Sequence, residues 1–268
     1  NNTACAVVIN SGNANACTGP QGLADALEMA ALTGQALGLK TTDVLVGSTG
    51  RIGVPLPMPN IRNGIAAVAG QLQPTQAAAA QAAEAILTSD TQSKQIAVEF
   101  RLGGKTARLG GIAKGAAMLE PNMATMLAFT TTDANVDPAF LQETLSAAVR
   151  LTFNQIDVDG DQSTNDTVLL LANGAAGGPE ISGGDEASEA FAEAVLQVCR
   201  HLAIEIARDG EGATKLIEVT VEGAHSDDDA LVASRECAAS LLVKTAVYGR
   251  DPNWGRIFMA VGKSQIPL

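Results

Sequence analysis

Lys114 and Thr125 carry the chemistry this chain can offer. They stand eleven residues apart in the run Lys114-Gly115-Ala116-Ala117-Met118-Leu119-Glu120-Pro121-Asn122-Met123-Ala124-Thr125-Met126-Leu127. A threonine hydroxyl is a weak nucleophile until a base takes its proton. The two histidines are poor candidates for that base: His201 falls in a helical stretch and His225 in an acidic loop, neither beside a Ser or Cys nucleophile motif. A chain break between Ala124 and Thr125 would supply the base from the backbone, because a free α-amine has a pKa of about 7.7–8. Hydroxyl and amine would then sit on one residue, ready for acyl transfer. Unbroken, the same segment reads as a turn leading into a strand.

The elements that must position these residues alternate between apolar strands and amphipathic helices. Residues 4–10 predict a short strand ending in the polar loop Ser11-Gly12-Asn13-Ala14-Asn15-Ala16-Cys17-Thr18-Gly19-Pro20. Small polar loops after buried strands are common at ligand sites in α/β proteins. A helix is expected over 25–37 with Gly38 as its cap, then a strand over 43–47 running into Ser48-Thr49-Gly50-Arg51-Ile52-Gly53. Two helices follow near 60–70 and 75–87, and the polar link at 88–94 leads to strands at 95–101 and 105–109 joined through Gly103-Gly104. A strand is expected over 123–129, and a helix from Asp137-Pro138 to about 153. Beyond the polar loop 157–166 come a strand over 167–171 and a Gly-rich acidic connection at 174–185. A helix over 187–208, a strand over 215–221, a helix over 227–245 behind a Ser226/Asp229 capping box, and a strand over 257–261 complete the pattern. The order predicts α/β packing on a mixed sheet, with a boundary at 174–175 dividing 1–174 from 175–268.

Composition removes several functions. A formal net charge of −12 repels phosphate backbones, and 3% aromatic residues leave little for stacking on bases, so nucleic acid is not an expected partner. No apolar run approaches the length of a membrane span, and residues 1–20 have no basic start followed by an apolar stretch. Cys5, Cys17, Cys199 and Cys237 match neither a zinc spacing nor a disulfide framework and read as free thiols of a cytoplasmic protein. Asp157-Val158-Asp159-Gly160-Asp161 looks superficially like a calcium loop, but Gly160 falls fourth rather than sixth and Val168 stands at the twelfth position, where Glu is needed. No metal is expected there, and no nucleotide-binding glycine pattern is present. The first residue is Asn1, close to the first strand, and further native residues are expected ahead of it.

Seven segments in order resemble the glutamate N-acetyltransferases, including the bifunctional ornithine acetyltransferases of cyclic arginine biosynthesis. They are Asn10-Ser11-Gly12-Asn13-Ala14-Asn15-Ala16-Cys17-Thr18-Gly19, Ser48-Thr49-Gly50, Gly111-Ile112-Ala113-Lys114-Gly115 and Pro121-Asn122-Met123-Ala124-Thr125-Met126-Leu127, followed by Asp159-Gly160-Asp161-Gln162-Ser163-Thr164-Asn165-Asp166-Thr167, Asp209-Gly210-Glu211-Gly212-Ala213-Thr214-Lys215 and Asp251-Pro252-Asn253-Trp254-Gly255-Arg256.

The resemblance implies a mixed-sheet, layered α/β sandwich and self-cleavage between Ala124 and Thr125. It also implies acetyl transfer from N2-acetylornithine to glutamate through an acetyl ester on Thr125. Thr49 and Gly50 match the oxyanion hole, and Thr91, Lys114, Thr125 and Glu211 match substrate-binding positions. Lys114 would hold a substrate carboxylate, and Glu211 an ammonium such as the side-chain amine of ornithine. No cofactor is implied, though acetyl-CoA is a possible second donor. The expected partners are the complementary fragment left by cleavage and further copies in a homo-oligomer. Two features depart from the family: Lys114-Gly115-Ala116-Ala117-Met118 stands where Lys-Gly-Ser-Gly-Met is usual, and family members continue beyond the point matching Leu268 with residues that contact substrate. A hydrolase that passes the acyl group to water, or an inactive fragment, is the alternative.

Overall fold

The computed structural model describes residues 3–102, 104–118 and 126–267. Two sheets form its middle. Strands β1 (Ala6–Asn13) and β2 (Val44–Arg51) make a parallel pair. Strands β3 (Lys94–Leu102), β4 (Lys105–Lys114), β5 (Leu127–Thr132) and β6 (Thr167–Ala172) make a four-stranded sheet in that order. β3, β4 and β5 run antiparallel to their neighbours, whereas β5 and β6 run parallel, so the sheet is mixed as expected.

Helix α1 (Gly19–Leu37) ends on Gly38 at φ 70°, whose N–H returns to the Gly34 carbonyl. It packs with α2 (Met58–Ala69) over β1 and β2 around Met29, Leu56, Met58 and Ile65. Helices α3 (Gln76–Ala85) and α4 (Pro138–Leu151) follow in the chain. The Asp137 carboxylate caps α4 by accepting from the Ala139 and Phe140 N–H groups, each at 3.0 Å. Helix α5 (Glu186–Arg208) buries Phe191, Val195, Val198, Leu202 and Ile206, a stripe at helical spacing that lies on β3 and β4.

The period of two in a strand sets the direction of everything on β4. Ala107, Leu109 and Ala113 belong to the core that α5 covers. Gly111 lies on that same side, and a Cβ there would come within 2.9 Å of Thr130 Cγ2 and 3.0 Å of Leu202 Cδ1. Ile112 faces the other way, into the cluster of Ile86, Leu127, Phe129, Val7, Ile9 and Leu169 that joins the two sheets. Lys114, two residues on, shares the face of Ile112 and so points towards β1 and β2.

Several elements differ from the sequence expectation. β1 and β2 continue through segments expected as loops, because Ser11 pairs with Thr49 and Gly12 with Gly50 in one parallel ladder. Small polar residues there have a hydrogen-bonding partner in register, which overrides their weak strand preference. The stretch expected as a helix over 227–245 is two helices, α6 (Asp227–Ala239) and α7 (Leu241–Gly249). Ser240 separates them by taking an extended conformation and accepting from the Val243 N–H at 3.3 Å. The expected strand over 257–261 lies within helix α8 (Trp254–Lys263), where Trp254, Phe258 and Val261 recur at helical spacing. Residues 215–221 form no strand, since no described sheet edge pairs with them.

Candidate active site

Lys114 ends β4 with 2% of its surface exposed, so its ammonium must find partners inside the protein. Its Nζ donates to Thr88 Oγ1 at 2.6 Å and to Thr49 Oγ1 at 3.4 Å, and lies 3.7 Å from Asp90 Oδ2. Thr49 is buried on β2, brought opposite by the facing of the two sheets. Burial lowers the Lys114 pKa below the ordinary lysine value, and Asp90 resists that shift.

Asp90 is the hub beneath this lysine. Its Oδ1 accepts from the Lys94 ammonium at 2.8 Å and from the Gly115 N–H at 2.6 Å. Lys94 Nζ in turn reaches Asp209 Oδ2 at 2.6 Å, just past the end of α5. Burial pushes the Asp90 carboxyl upward, but Lys94, the Gly115 N–H and Lys114 together hold it below the usual carboxylate range. Asp209 is likewise lowered: Lys94 and Thr91 outweigh its desolvation. Two lysines and two aspartates thus form a closed, charge-balanced network connecting the starts and ends of β3, β4 and α5.

A cleft of about 680 Å³ opens above the network, lined by residues that include Ser11, Gly12, Gly50, Arg51, Thr88, Lys114 and Met118. That volume suits a small-molecule ligand. Gly50 stands at φ 129°, and a Cβ added to it would meet the Gly12 carbonyl carbon at 2.3 Å. Only glycine fits where the two strands meet so closely. The loop behind this wall is fixed by side chains: Ser48 Oγ donates to the Asn13 carbonyl at 2.9 Å and accepts from the Asn15 N–H at 2.8 Å.

The structure brings Thr49, Gly50 and Lys114 to one place. Thr91 does not line the cleft; its N–H donates to Asp209 Oδ2 at 3.0 Å and its hydroxyl to Asp209 Oδ1. Glu211 has an exposed side chain, and its backbone N–H donates to the Ala116 carbonyl at 2.6 Å, two residues past Lys114. Ala124 and Thr125 lie outside the described residues. On either side, Met118 lines the cleft at φ 58° with its N–H on Asp159 Oδ2 at 2.5 Å. Met126 donates its N–H to Asp166 Oδ1 at 2.8 Å.

Sequence reasoning gave no role to Thr88, Asp90 or Lys94, nor to Asp166 and Asp209, which it quoted only within the segments that carry the resemblance. The i, i+4 spacing of Asp90 and Lys94 was a visible signal; the long-range meeting with Asp209 had none. Asp166 is pushed up to about 6 by burial, against the pull of the Met126 N–H and Lys114. Among the described residues, its buried Oδ2 has no hydrogen-bond partner.

With that geometry in view, a model of the ArgJ family matches residues 1–268. The chain belongs to the ArgJ family. It is 57% identical over 259 residues to the arginine biosynthesis bifunctional protein ArgJ of Symbiobacterium thermophilum, a match covering 97% of this chain and 64% of that protein. It is 53% identical over 262 residues to the protein of the same name from Geobacter sulfurreducens, covering 98% of this chain and 66% of that one. The chain therefore spans slightly less than two thirds of the length of these ArgJ relatives. The crystal structure of the Bacillus halodurans arginine biosynthesis bifunctional protein argJ is similar at a TM-score of 0.51 and 49% identity, over 52% of this chain and 66% of that one. The mixed α/β fold is thus the ArgJ fold. Among the described residues no helix is long and apolar enough to cross a membrane, and no group of three or more His, Cys, Asp and Glu is placed to hold a metal.

Proposed function

We propose that this chain carries the nucleophile of an autoprocessing acetyltransferase that moves an acetyl group from N2-acetylornithine to glutamate. The observation that carries the reading is the buried Lys114 ammonium. It touches Thr49 and reaches a cleft that Gly50 also lines, on the strand that leads into residues 119–125. Maturation begins when Thr125 Oγ attacks the Ala124 carbonyl carbon. The amide becomes an ester and Thr125 gains a free amine. Water then hydrolyses the ester, leaving the Ala124 carboxylate and a free Thr125 hydroxyl.

In turnover, Thr125 Oγ attacks the acetyl carbonyl of the donor while its proton passes to the Thr125 amine. Thr49 and Gly50 stabilise the oxyanion, and loss of one such donor costs about 2.7–4 kcal/mol of barrier. The amine returns the proton to ornithine as the C–N bond breaks. Glutamate then attacks the acetyl ester through its α-amine and leaves as N-acetylglutamate. Lys114 holds a carboxylate of either amino acid, Glu211 receives the ammonium of ornithine, and Thr91 acts through the Asp209 end of the network. Acetyl-CoA serves as a second donor, consistent with the word bifunctional in the relatives' names. The cleaved pieces stay together and assemble with further copies in the cytoplasm.

Intact mass under denaturing conditions tests the reading. The expected result is two pieces divided before Thr125, with N2-acetylornithine adding one acetyl group to the Thr125 piece alone. A single 27.3 kDa species would remove the maturation step. Thr125→Ala should abolish cleavage and adduct together, and survival of either would show that another residue is the nucleophile.

A further inference from the structure

Arg51 ends β2 on the wall of the cleft, directly after Gly50. Its backbone is fixed, since its carbonyl accepts from the Ala14 N–H at 2.9 Å. Its side chain is exposed, and among the described residues the guanidinium has no hydrogen bond or ion pair. Lys114, by contrast, is held by Thr88 and Asp90. The described residues lining the cleft include these two cations and no carboxylate, in a chain whose formal charge is −12. Because Asp90 balances Lys114, the unpaired positive charge at the cleft is that of Arg51, and such a charge in a concave site of an acidic protein focuses the field on anions. Gly12 and Gly50, which line the same cleft, carry no side chain to narrow it.

We infer that Arg51 is an anion subsite for the distal carboxylate of a dicarboxylic amino-acid acceptor. The inference rests on the proposed acetyl transfer for the identity of that acceptor, while the binding it requires needs no chemistry. A planar guanidinium pairs with a carboxylate through two parallel N–H···O bonds, which a lysine cannot copy. Donor and acceptor differ at the side-chain end: N2-acetylornithine carries an ammonium, which Glu211 receives, and glutamate a carboxylate, which Glu211 would repel and Arg51 would hold. Arg51 therefore favours the acceptor over ornithine as the amine that meets the acetyl ester, and opposes entry of the donor's side-chain ammonium to the same extent. Specificity arises from repulsion as much as attraction.

Calorimetric titration of the protein with glutarate, which has two carboxylates, and butyrate, which has one, reads the subsite directly. The wild type should prefer glutarate. Arg51→Gln should weaken glutarate about tenfold, the scale of one charge-assisted contact, and change butyrate less than twofold. Arg51→Lys should fall between. Equal affinity for glutarate in wild type and Arg51→Gln overturns the subsite, as does a wild type with no preference for glutarate. Coenzyme A serves as the phosphate probe: loss of its binding in Arg51→Gln with glutarate unchanged would assign Arg51 to a phosphate and overturn the carboxylate reading. Failure of acetyl transfer is separately visible. A wild type that forms no Thr125 adduct yet binds glutarate through Arg51 loses the transferase reading and keeps the subsite.

Discussion

Gly50 shows how a single backbone position can set the geometry of the whole cleft wall. Its φ of 129° lies where L side chains are strained, and its missing Cβ would overlap Gly12 and Asn13 backbone atoms at 2.3–2.6 Å. Gly53, three residues on, also has a positive φ of 77° but meets nothing within 4 Å. The two glycines separate conformational strain from collision. Gly53→Ala should cost about 1–2 kcal/mol, the left-handed penalty alone, whereas Gly50→Ala should cost roughly 3 kcal/mol or more because β1 and β2 must move apart. Urea unfolding of both variants measures this, and equal losses would mean the close approach of Gly12 and Gly50 is not what glycine serves here. The Ser48-Thr49-Gly50 run was legible as a site element only through the family resemblance, since its residue types alone fit a turn. That it continues a strand was not, because the partner that makes it one, Ser11-Gly12-Asn13, lies more than thirty residues away.

At the scale of elements, the buried network of Lys94, Asp90, Asp209 and Lys114 ties β3, β4 and the end of α5 to the cleft. Lys94 and Asp90 have side chains with 0% exposure, so neither charge has water to fall back on. Removing one partner of such a set costs about 3–5 kcal/mol, since the charges left behind stay buried. Lys94→Met should lose that amount at pH 7. Asp90 and Asp209 sit below the ordinary carboxylate range in the folded protein, so their contribution is present above an unfolded value of about 3.9 and is lost as pH falls through the depressed folded values. Without Lys94, burial raises these carboxylates, so the deficit of Lys94→Met should shrink on acidification from above about pH 3.9 down through the depressed wild-type values, as its unpaired carboxylates take up protons. A deficit independent of pH would mean packing, rather than charge, is what Lys94 supplies. Local patterns forecast helices α1, α4 and α5, though α1 begins six residues before the expected start, and they forecast the Gly38 and Asp137 caps, because Gly38 and the Asp137-Pro138 pair act within one turn. They failed at 215–221 and 257–261, where short apolar runs fit either period and only the available neighbours decide.

Over the whole molecule, burial is uneven along the chain. Residues Phe191, Val195, Val198, Leu202 and Ile206 of α5 join the large core shared with β3, β4 and β5. The last three helices gather around a much smaller cluster of Cys237, Val243 and Ala260, and leave Leu241, Tyr248, Trp254 and Phe258 exposed. Trp254 and Phe258 stack edge to face at 5.5 Å on that open side. Stability follows buried apolar contact, so these two regions should open at different free energies. The sequence places a boundary at 174–175, and a cooperative unit running over 175–268 would make α5 exchange with α6, α7 and α8. The packing argues for another partition, in which α5 opens with the four-stranded sheet although it lies beyond residue 174. Native-state hydrogen exchange distinguishes them: amides of α5 should be protected to the same free energy as those of β4 and β5, with α7 and α8 opening at least ~2 kcal/mol sooner. If α5 instead exchanges in step with α8, the division at 174–175 is the thermodynamic one, and the network through Asp209 joins two independent units rather than lying within one.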